Sequence, residues 1–167
     1  MINWIYFPKC DRPPDIGLGV VKAFETTPKV GSHEHTENSN AVLQMLAPKL
    51  IELGFRVEAG KQAAQKISIP VLFGRNGAAL KTFDADAFHV ANGFVLEIEA
   101  GCAVANNRFL KDLFQACLMH GAEYVGIAVR NIYRESADFE RVVSFFEALY
   151  ASGRLTLPLR GVLVIGY

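Results

Sequence analysis

The sequence is poor in the features that stabilise many small domains by chemical cross-links. Its 167 residues include three cysteines, at positions 10, 102 and 117, and none belongs to a CxxC pair or a cysteine–histidine zinc pattern. A disulfide framework and a structural zinc are therefore excluded as the basis of the fold, and a reducing compartment is expected. The hydrophobic fraction of 51% is large enough to build a core without either.

Targeting signals and net charge are also missing. The first residues lack a basic region followed by an apolar run and a cleavage site, and no segment reaches the ~20 apolar residues that span a membrane. We therefore expect a cytoplasmic protein with no membrane partner. Seventeen basic residues against seventeen acidic residues give a formal charge of zero, so any contact with nucleic acid requires a local basic patch.

The length fits a single domain over residues 1–167, because no internal repeat or low-complexity tract divides the chain. Hydrophobic periodicity predicts an α/β protein with a central mixed β-sheet flanked by helices. A core of helix, three strands, helix and strand is predicted over about residues 39–130. A strand and helix within residues 1–30 precede it, and a helix and strand within residues 137–167 follow it.

The individual elements follow from apolar spacing. Strands are predicted at residues 2–7, 55–58, 69–73, 80–91, 94–100, 124–129 and 161–165. Helices are predicted at residues 15–25, from a cap at Asn38 or Ser39 to Leu53, at residues 106–120, where Leu110, Leu113, Phe114 and Cys117 mark the apolar face, and near residues 139–149. Pro48 is expected to kink the second helix or split it in two.

The most specific local signal is a hairpin with its turn at residues 92–93, an Asn-Gly pair. A two-residue type I′ turn at this pair would set Asp86 opposite Glu99 and Phe88 opposite Glu97. This register keeps the apolar residues of both strands on one face, which carries only one polar residue, a histidine.

The other face of the predicted hairpin carries four acidic side chains: Asp84, Asp86, Glu97 and Glu99. They would repel one another unless something compensates. One interpretation is a solvated outer face that keeps the sheet soluble. The other is a site for Mg²⁺ or Mn²⁺, because hard cations select oxygen ligands, and the apolar Leu96 and Ile98 indicate a covered strand.

An aspartate, a hairpin turn, and Glu-x-Glu at the end of a strand followed by a helix resemble the PD-(D/E)XK, or restriction-endonuclease-like, fold. The predicted order of elements over residues 39–130 resembles the core of that fold too. The runs at residues 83–87, 96–101 and 107–115 are similar to a group of uncharacterised bacterial proteins placed within it.

The resemblance implies a Mg²⁺- or Mn²⁺-dependent nuclease. Asp86 and Glu97 match the metal-binding acids, with the backbone carbonyl of Ile98 as a further ligand. Glu99 stands where the family usually has lysine, which leaves its role open between further ligand, base and sign of lost activity. Lys111 is a candidate for the missing lysine, or an ordinary surface residue of the helix.

Further candidates surround this set. They are Asp84, which ranks below Asp86, Glu37 from the first helix region, and Asn107 and Gln115, which form a polar stripe with Lys111. Two other patterns have two interpretations each. His33-x-His35 fits either a zinc pair or a solvated loop. The arginines at 130, 134 and 141, with Tyr133 between them, fit either a phosphate-binding edge or a solvated loop.

These expectations lead to two hypotheses of different class. The first is a metal-dependent nuclease that acts on nucleic acid, with DNA ahead of RNA and a homodimer as the form that would cut two strands. The second is a binding or scaffold protein that keeps the fold without catalysis. The charge balance and Glu99 favour the second, whereas the carboxylates on one face favour the first.

Overall fold

The protein, seen in a computed structural model, is described over residues 1–31 and 37–167. The helices of these ranges are α1 (Asp15–Thr26), α2 (Ser39–Glu52), α3 (Arg108–Leu118) and α4 (Asp138–Ser152). The strands are β1 (Asn3–Phe7), β2 (Arg56–Val57), β3 (Ile67–Phe73), β4 (Ala79–Ala85), β5 (Ala87–His89), β6 (Phe94–Glu99), β7 (Tyr124–Val129) and β8 (Gly161–Gly166).

Six strands form one mixed sheet in the order β1-β8-β7-β6-β5-β2. The central strands β6, β7 and β8 are parallel, and the outer pairs are antiparallel. Strands β3 and β4 form a separate two-stranded ribbon between β2 and β5 in the chain. The predicted α/β class and the mixed sheet flanked by helices are confirmed. None of the helices in the described ranges has the length and apolar character needed to cross a bilayer.

Helices cover both faces of this sheet, which is why its central strands are nearly continuous apolar runs. On one face, α1 and α2 pack their apolar side chains on Phe94, Leu96 and Ile98 of β6. On the other face, α3 and α4 pack on a second cluster that includes Val95 of the same strand. Strand β6 is therefore buried on both sides, and a polar side chain on it is enclosed rather than solvated.

The predicted register of the hairpin is wrong. Phe88 pairs with Val95, and the connection consists of a 3₁₀ turn at Val90–Asn92 closed by Gly93. Gly93 has a φ of 61°, whereas Asn92 stays outside the left-handed region, so the turn is not of type I′. The expected pairs of Asp86 with Glu99 and of Phe88 with Glu97 are therefore not formed.

The error leaves the side chains of β5 and β6 on their predicted faces, whereas Ala85, before the break at Asp86, packs in the cluster opposite to the predicted one. The observed register differs from the predicted one by two residues, and side chains alternate with a period of two along a strand. Hydrophobic patterning excludes a slip of one residue, but it cannot distinguish registers that differ by two. Glu97 and Glu99 consequently share the face of Val95, as predicted, although their partners have changed.

Three other predictions need correction. The strand at residues 80–91 is two strands that break at Asp86, because β4 pairs with β3 and β5 pairs with β2 and β6. Helix α2 is not split, since it continues through Pro48 to Glu52. The buried face of α3 is also rotated from the predicted one, because Phe114 is exposed.

Gly93 supplies a test of this turn. Its carbonyl accepts the N–H groups of Glu123 (2.7 Å) and Tyr124 (3.0 Å), and an added Cβ would lie 2.3 Å from the carbonyl oxygen of Gly121. Gly153 has a similar φ of 59° with nothing within 4 Å of an added Cβ. We expect Gly153→Ala to lower the free energy of unfolding by about 1–2 kcal/mol, from the left-handed backbone alone.

Gly93→Ala should cost about 1–3 kcal/mol more than this matched control, because it adds a clash with backbone. Urea titration of both variants measures the difference. Equal losses in the two variants would contradict the close approach of the turn to the start of β7.

Candidate active site

Asp86 lies in the gap between β4 and β5, where the chain leaves the ribbon and enters the sheet. Its carbonyl oxygen accepts the N–H of Glu58 (2.8 Å), and its carboxylate Oδ2 accepts the N–H of Ile98 (2.7 Å). The Asp86 side chain thus accepts the hydrogen bond that the Ile98 N–H would donate to a backbone carbonyl if the strand were continuous. This bond holds the Asp86 carboxylate beside Glu97 of β6. The sequence predicted that Asp86 and Glu97 are neighbours, although it did so from a different register.

The end of β6 is fixed by helix α2. The side chain of Asn38 caps α2 by accepting the N–H of Ala41 (3.0 Å), which confirms the predicted cap. The next residue, Ser39, accepts the N–H of Ala100 through its Oγ (2.9 Å). The N-terminus of α2 and the carboxyl end of β6 therefore meet, and together they line one side of a cavity.

This cavity, which we call the acidic cavity, has a volume of about 450 Å³. Its described lining comprises Asn38, Ser39, Asn40, Glu58, Lys61, Asp84, Ala85, Asp86, Glu97, Ile98, Glu99, Arg108, Lys111, Asp112 and Gln115. Most of the predicted site residues are therefore brought together. Asn107 is not among them, since it stands at the N-cap of α3. Glu37 lines a neighbouring cleft instead.

Asp112 is the principal residue that the sequence interpretation missed. Its side chain is buried, with the residue 4% exposed, in a stripe with Phe109 and Ala116 on α3. The signal was present, because an acid three residues after one buried position and four before another lies on the core face of a helix. The predicted apolar face of Leu110, Leu113, Phe114 and Cys117 does not include Asp112, and of these four residues the structure buries Leu113 alone.

Three other charged residues of the acidic cavity were also missed. Glu58 follows β2, Lys61 lies in the link after it, and Arg108 begins α3. No local pattern marks Glu58 or Lys61, because their segment has no clear period. Only the pairing of β2 with β5 brings them to Asp86.

Neutralising charges are few and lie at the rim. Arg108 Nη1 is 3.5 Å from Glu99 Oε2, and Lys111 Nζ is 3.5 Å from Asp112 Oδ1. The two cationic side chains are 50% and 64% exposed, so water screens both pairs. Both pairs lie at the outer limit of hydrogen-bond distance, and their effect on the pKa values of Glu99 and Asp112 is smaller than that of burial.

Asp84 differs from the other acids of the acidic cavity. Its carboxylate accepts hydrogen bonds from Lys66 (2.7 Å) and Ser68 (2.6 Å) across the ribbon. These hydrogen bonds hold the pKa of Asp84 below its ordinary value, and the bond from Lys66 has the larger effect. Asp84 is therefore satisfied by the fold itself, which agrees with its lower rank among the candidates.

Three buried carboxylate oxygens have no hydrogen-bond partner in the described residues: Glu97 Oε1, Glu99 Oε2 and Asp112 Oδ2. Glu97 is 8% exposed. An unsatisfied buried acceptor costs about 1–3 kcal/mol, and more when it carries charge. The fold thus stabilises an arrangement that is unfavourable unless a proton or a cation enters the acidic cavity.

The pKa values of these carboxyl groups reflect that arrangement. Burial raises the pKa of Asp86 to about 7, although the hydrogen bond from Ile98 opposes the rise and the charge of Glu58 adds to it. Burial also raises the pKa of Glu97 well above its ordinary value, with the charges of Asp86 and Asp112 next in size. The pKa values of Glu99 and Asp112 are raised for the same first reason.

The donor set fits a hard divalent cation. Mg²⁺ commonly takes one or two carboxylates and fills its other positions with water or substrate oxygen. The carboxylates of Asp86 and Glu97 and the carbonyl of Ile98 are ligands of this kind. Glu97 Oε1, which is buried and has no hydrogen-bond partner in the described residues, would be stabilised by a positive charge beside it. Within the described ranges, no three His, Cys, Asp or Glu side chains form a ready-made metal cluster.

The remaining sequence candidates lie elsewhere. His33 and His35 are outside the described residues, so the zinc hypothesis stays a prediction. Glu37 is exposed, and its carbonyl accepts a bond from Arg130 Nη2 (2.6 Å). Arg134 lines the same neighbouring cleft as these two residues, whereas Arg141 does not.

The raised pKa values predict the pH dependence of stability without divalent cations. An acid whose folded pKa lies above its unfolded value binds more protons in the folded state, so the free energy of unfolding falls as pH rises. For Asp86 the fall spans pH 3.8 to about 7. Each released proton contributes at most about 1.4 kcal/mol per pH unit. Urea titrations in EDTA across this range measure it.

Asp112→Asn should flatten this dependence, because the charge of Asp112 raises the pKa values of Asp86, Glu97 and Glu99. Asp84→Asn is the matched control, since the pKa of Asp84 is lowered and its loss should leave the fall in place. An unchanged slope in Asp112→Asn would show that the buried carboxyls do not interact as described.

Comparison with known proteins adds no relative to this picture. Neither the protein-family models nor the curated proteins give a match to the chain. The likeness to the restriction-endonuclease-like fold therefore stays a prediction, carried by the acidic motif and the order of elements.

Proposed function

We propose that this protein is a Mg²⁺- or Mn²⁺-dependent phosphodiesterase that cleaves nucleic acid in the cytoplasm. One observation carries the proposal: buried carboxylate oxygens that have no hydrogen-bond partner among the described residues converge in an open cavity, and the cationic residues of its described lining are exposed at the rim. A solvated acidic face, the alternative interpretation of the sequence, does not account for burial of Glu97 and Asp112. A structural ion pair does not account for it either, since the counterions are exposed.

The order of elements supports a restriction-endonuclease-like core. In the main sheet the chain runs α2, β2, β5, β6, α3, β7, which is the order that the resemblance implies. The ribbon of β3 and β4 is an insertion between the first two of these strands. The proposed metal ligands would stand at Asp86, before the second core strand, and at Glu97, in the third.

Each residue has a proposed role. Asp86, Glu97 and the carbonyl of Ile98 would hold the cation, which when bound polarises a phosphate and lowers the pKa of water. The Glu99 carboxylate would accept a proton from the attacking water, because burial keeps its pKa raised. Lys111, at the rim, would bind a phosphate oxygen and offset the negative charge.

Glu99 occupies the place of the family's lysine, and the positive charge near it comes from other elements. Arg108 contacts Glu99 from the first residue of α3, and Lys61 reaches the acidic cavity from the segment after β2. A cation supplied from a neighbouring element can stabilise phosphate charge as well as one on the strand itself. The proposal therefore does not depend on a lysine at position 99.

A second candidate function is supported by different observations. The described residues contain no preformed cluster of three metal-ligating side chains, and Glu99 replaces the expected lysine. Both agree with a binding or scaffold protein that keeps the fold without catalysis. In that protein, the Asp86 carboxyl group, with its pKa of about 7, would be protonated in about half of the molecules at neutral pH.

The test is cleavage of labelled single- and double-stranded DNA and RNA with Mg²⁺ or Mn²⁺, together with the effect of the cation on melting temperature. We expect cleavage by the wild type, and a higher melting temperature with cation, because binding to the folded state stabilises it. Glu97→Gln and Asp86→Asn should lose both effects. Lys111→Ala should slow cleavage about 10-fold or more while keeping the thermal shift.

Glu140→Gln is the control, since Glu140 is an exposed residue of α4 outside the acidic cavity. It should match the wild type in both measurements. A thermal shift without cleavage of any substrate would reject the enzyme in favour of the binding protein. Glu99→Gln separates the roles of that residue, because a base is needed for turnover whereas the thermal shift requires only ligands.

A further inference from the structure

A second cleft adjoins the acidic cavity and has a volume of about 710 Å³. Asn38, Ser39 and Arg108 line both, so the two spaces are neighbours that share one wall. The second cleft is built from the loops that follow β6 and β7. These strands are parallel, with Glu99 paired to Val129, and their carboxyl ends therefore open on the same edge of the sheet.

The two spaces have opposite charge. The described lining of the second cleft carries three arginines (Arg108, Arg130 and Arg134) against one acid, Glu37. The acidic cavity carries six acids against three bases. Since the whole chain is neutral, this local separation is the feature that can attract an anion. We call the second space the arginine cleft.

The wall of the arginine cleft is held in place by backbone and ring contacts. Tyr133 and Ser136 exchange two backbone hydrogen bonds, of 2.9 and 3.0 Å, which close the loop. A Cβ at Gly101 would lie 2.6 Å from the ring of Tyr133, so glycine lets the ring lie against the end of β6. The exposed Arg134 places its guanidinium 5.3 Å from the centre of that ring.

This wall combines the two kinds of surface that unpaired bases use. Bases of single strands stack on aromatic rings and on guanidinium planes, whereas the bases of a duplex are already stacked on one another. The arginines of the same cleft suit the phosphates of such a strand, because guanidinium groups bind phosphate through charge-assisted, often paired, hydrogen bonds. A duplex would use the phosphate contacts alone and would leave the Tyr133–Arg134 pair without a partner.

We infer that the arginine cleft binds a single strand of nucleic acid, with its phosphates on the arginines and an unpaired base on the Tyr133–Arg134 pair. This inference rests on the proposed function, because the strand would lead from the arginine cleft into the acidic cavity. A protein that takes one strand at a time needs no second copy of itself to complete its reaction.

The experiment measures binding apart from cleavage. Fluorescence anisotropy of a labelled 20-nucleotide DNA, single-stranded or in duplex, is recorded with the full chain in EDTA over a range of salt. We expect tighter binding of the single strand. Arg134→Gln should weaken it about fivefold at 0.1 M salt and reduce the salt slope by about 0.7, the loss of one phosphate contact.

Arg154→Gln is the matched control, because Arg154 is exposed in the segment between α4 and β8 and lines neither space. It should bind like the wild type. Tyr133→Phe should keep the preference for the single strand, and Tyr133→Ala should lose it.

Equal effects of Arg134→Gln and Arg154→Gln, a preference for duplex, or no binding at low salt would each overturn the inference. Binding that follows the expected pattern without cleavage in Mg²⁺ or Mn²⁺ would support the arginine cleft and reject only the catalytic function.

Discussion

The fold depends on one constraint, the burial of β6 on both faces. Its apolar residues Phe94, Leu96 and Ile98 anchor helices α1 and α2, and Val95 belongs to the core under α3 and α4. The same strand carries Glu97 on the second face. Because covering a strand removes water from it, a carboxylate there is costly in its charged form. The acidic cavity is the consequence of placing acids on a strand that is covered on both faces.

The structure concentrates this cost at one edge rather than relieving it. Asp86 lines the acidic cavity at the break between β4 and β5, where its carboxylate bonds the N–H of Ile98. Asp112 lines it from α3, a helix whose other buried residues are apolar. Asp84 shows the alternative, since the fold provides Lys66 and Ser68 to satisfy it. Of the three arginines nearby, Arg108 lines both spaces, whereas Arg130 and Arg134 line the adjoining arginine cleft only. Separated opposite charges of this kind suit a ligand that brings a cation to one space and phosphates to the other.

The sequence was sufficient for what depends on periodicity and insufficient for what depends on pairing. The alternation in β6 predicted which residues share a face, and the apolar runs predicted β7 and β8. The register of the β5–β6 hairpin could not be predicted, because a slip of two residues leaves the same side chains on each face. The break between β4 and β5 at Asp86 could not be predicted, because no glycine or proline interrupts residues 79–91. Asp112 lies at helical spacing from Phe109 and Ala116, so its burial follows from the sequence once the core face of α3 is placed correctly. Glu58 is brought to the acidic cavity by the pairing of β2 with β5, which no local pattern indicates.

The central claim is that a divalent cation, rather than protons, balances these buried carboxylates when the protein is at work. Calorimetric titration of Mn²⁺ or Mg²⁺ at about pH 6.5, in two buffers of different ionisation enthalpy, measures this exchange directly. Because the pKa of Asp86 is about 7, we predict saturable binding that releases about one proton or more per site. Saturable binding without proton release, or no saturable binding at all, would contradict the account.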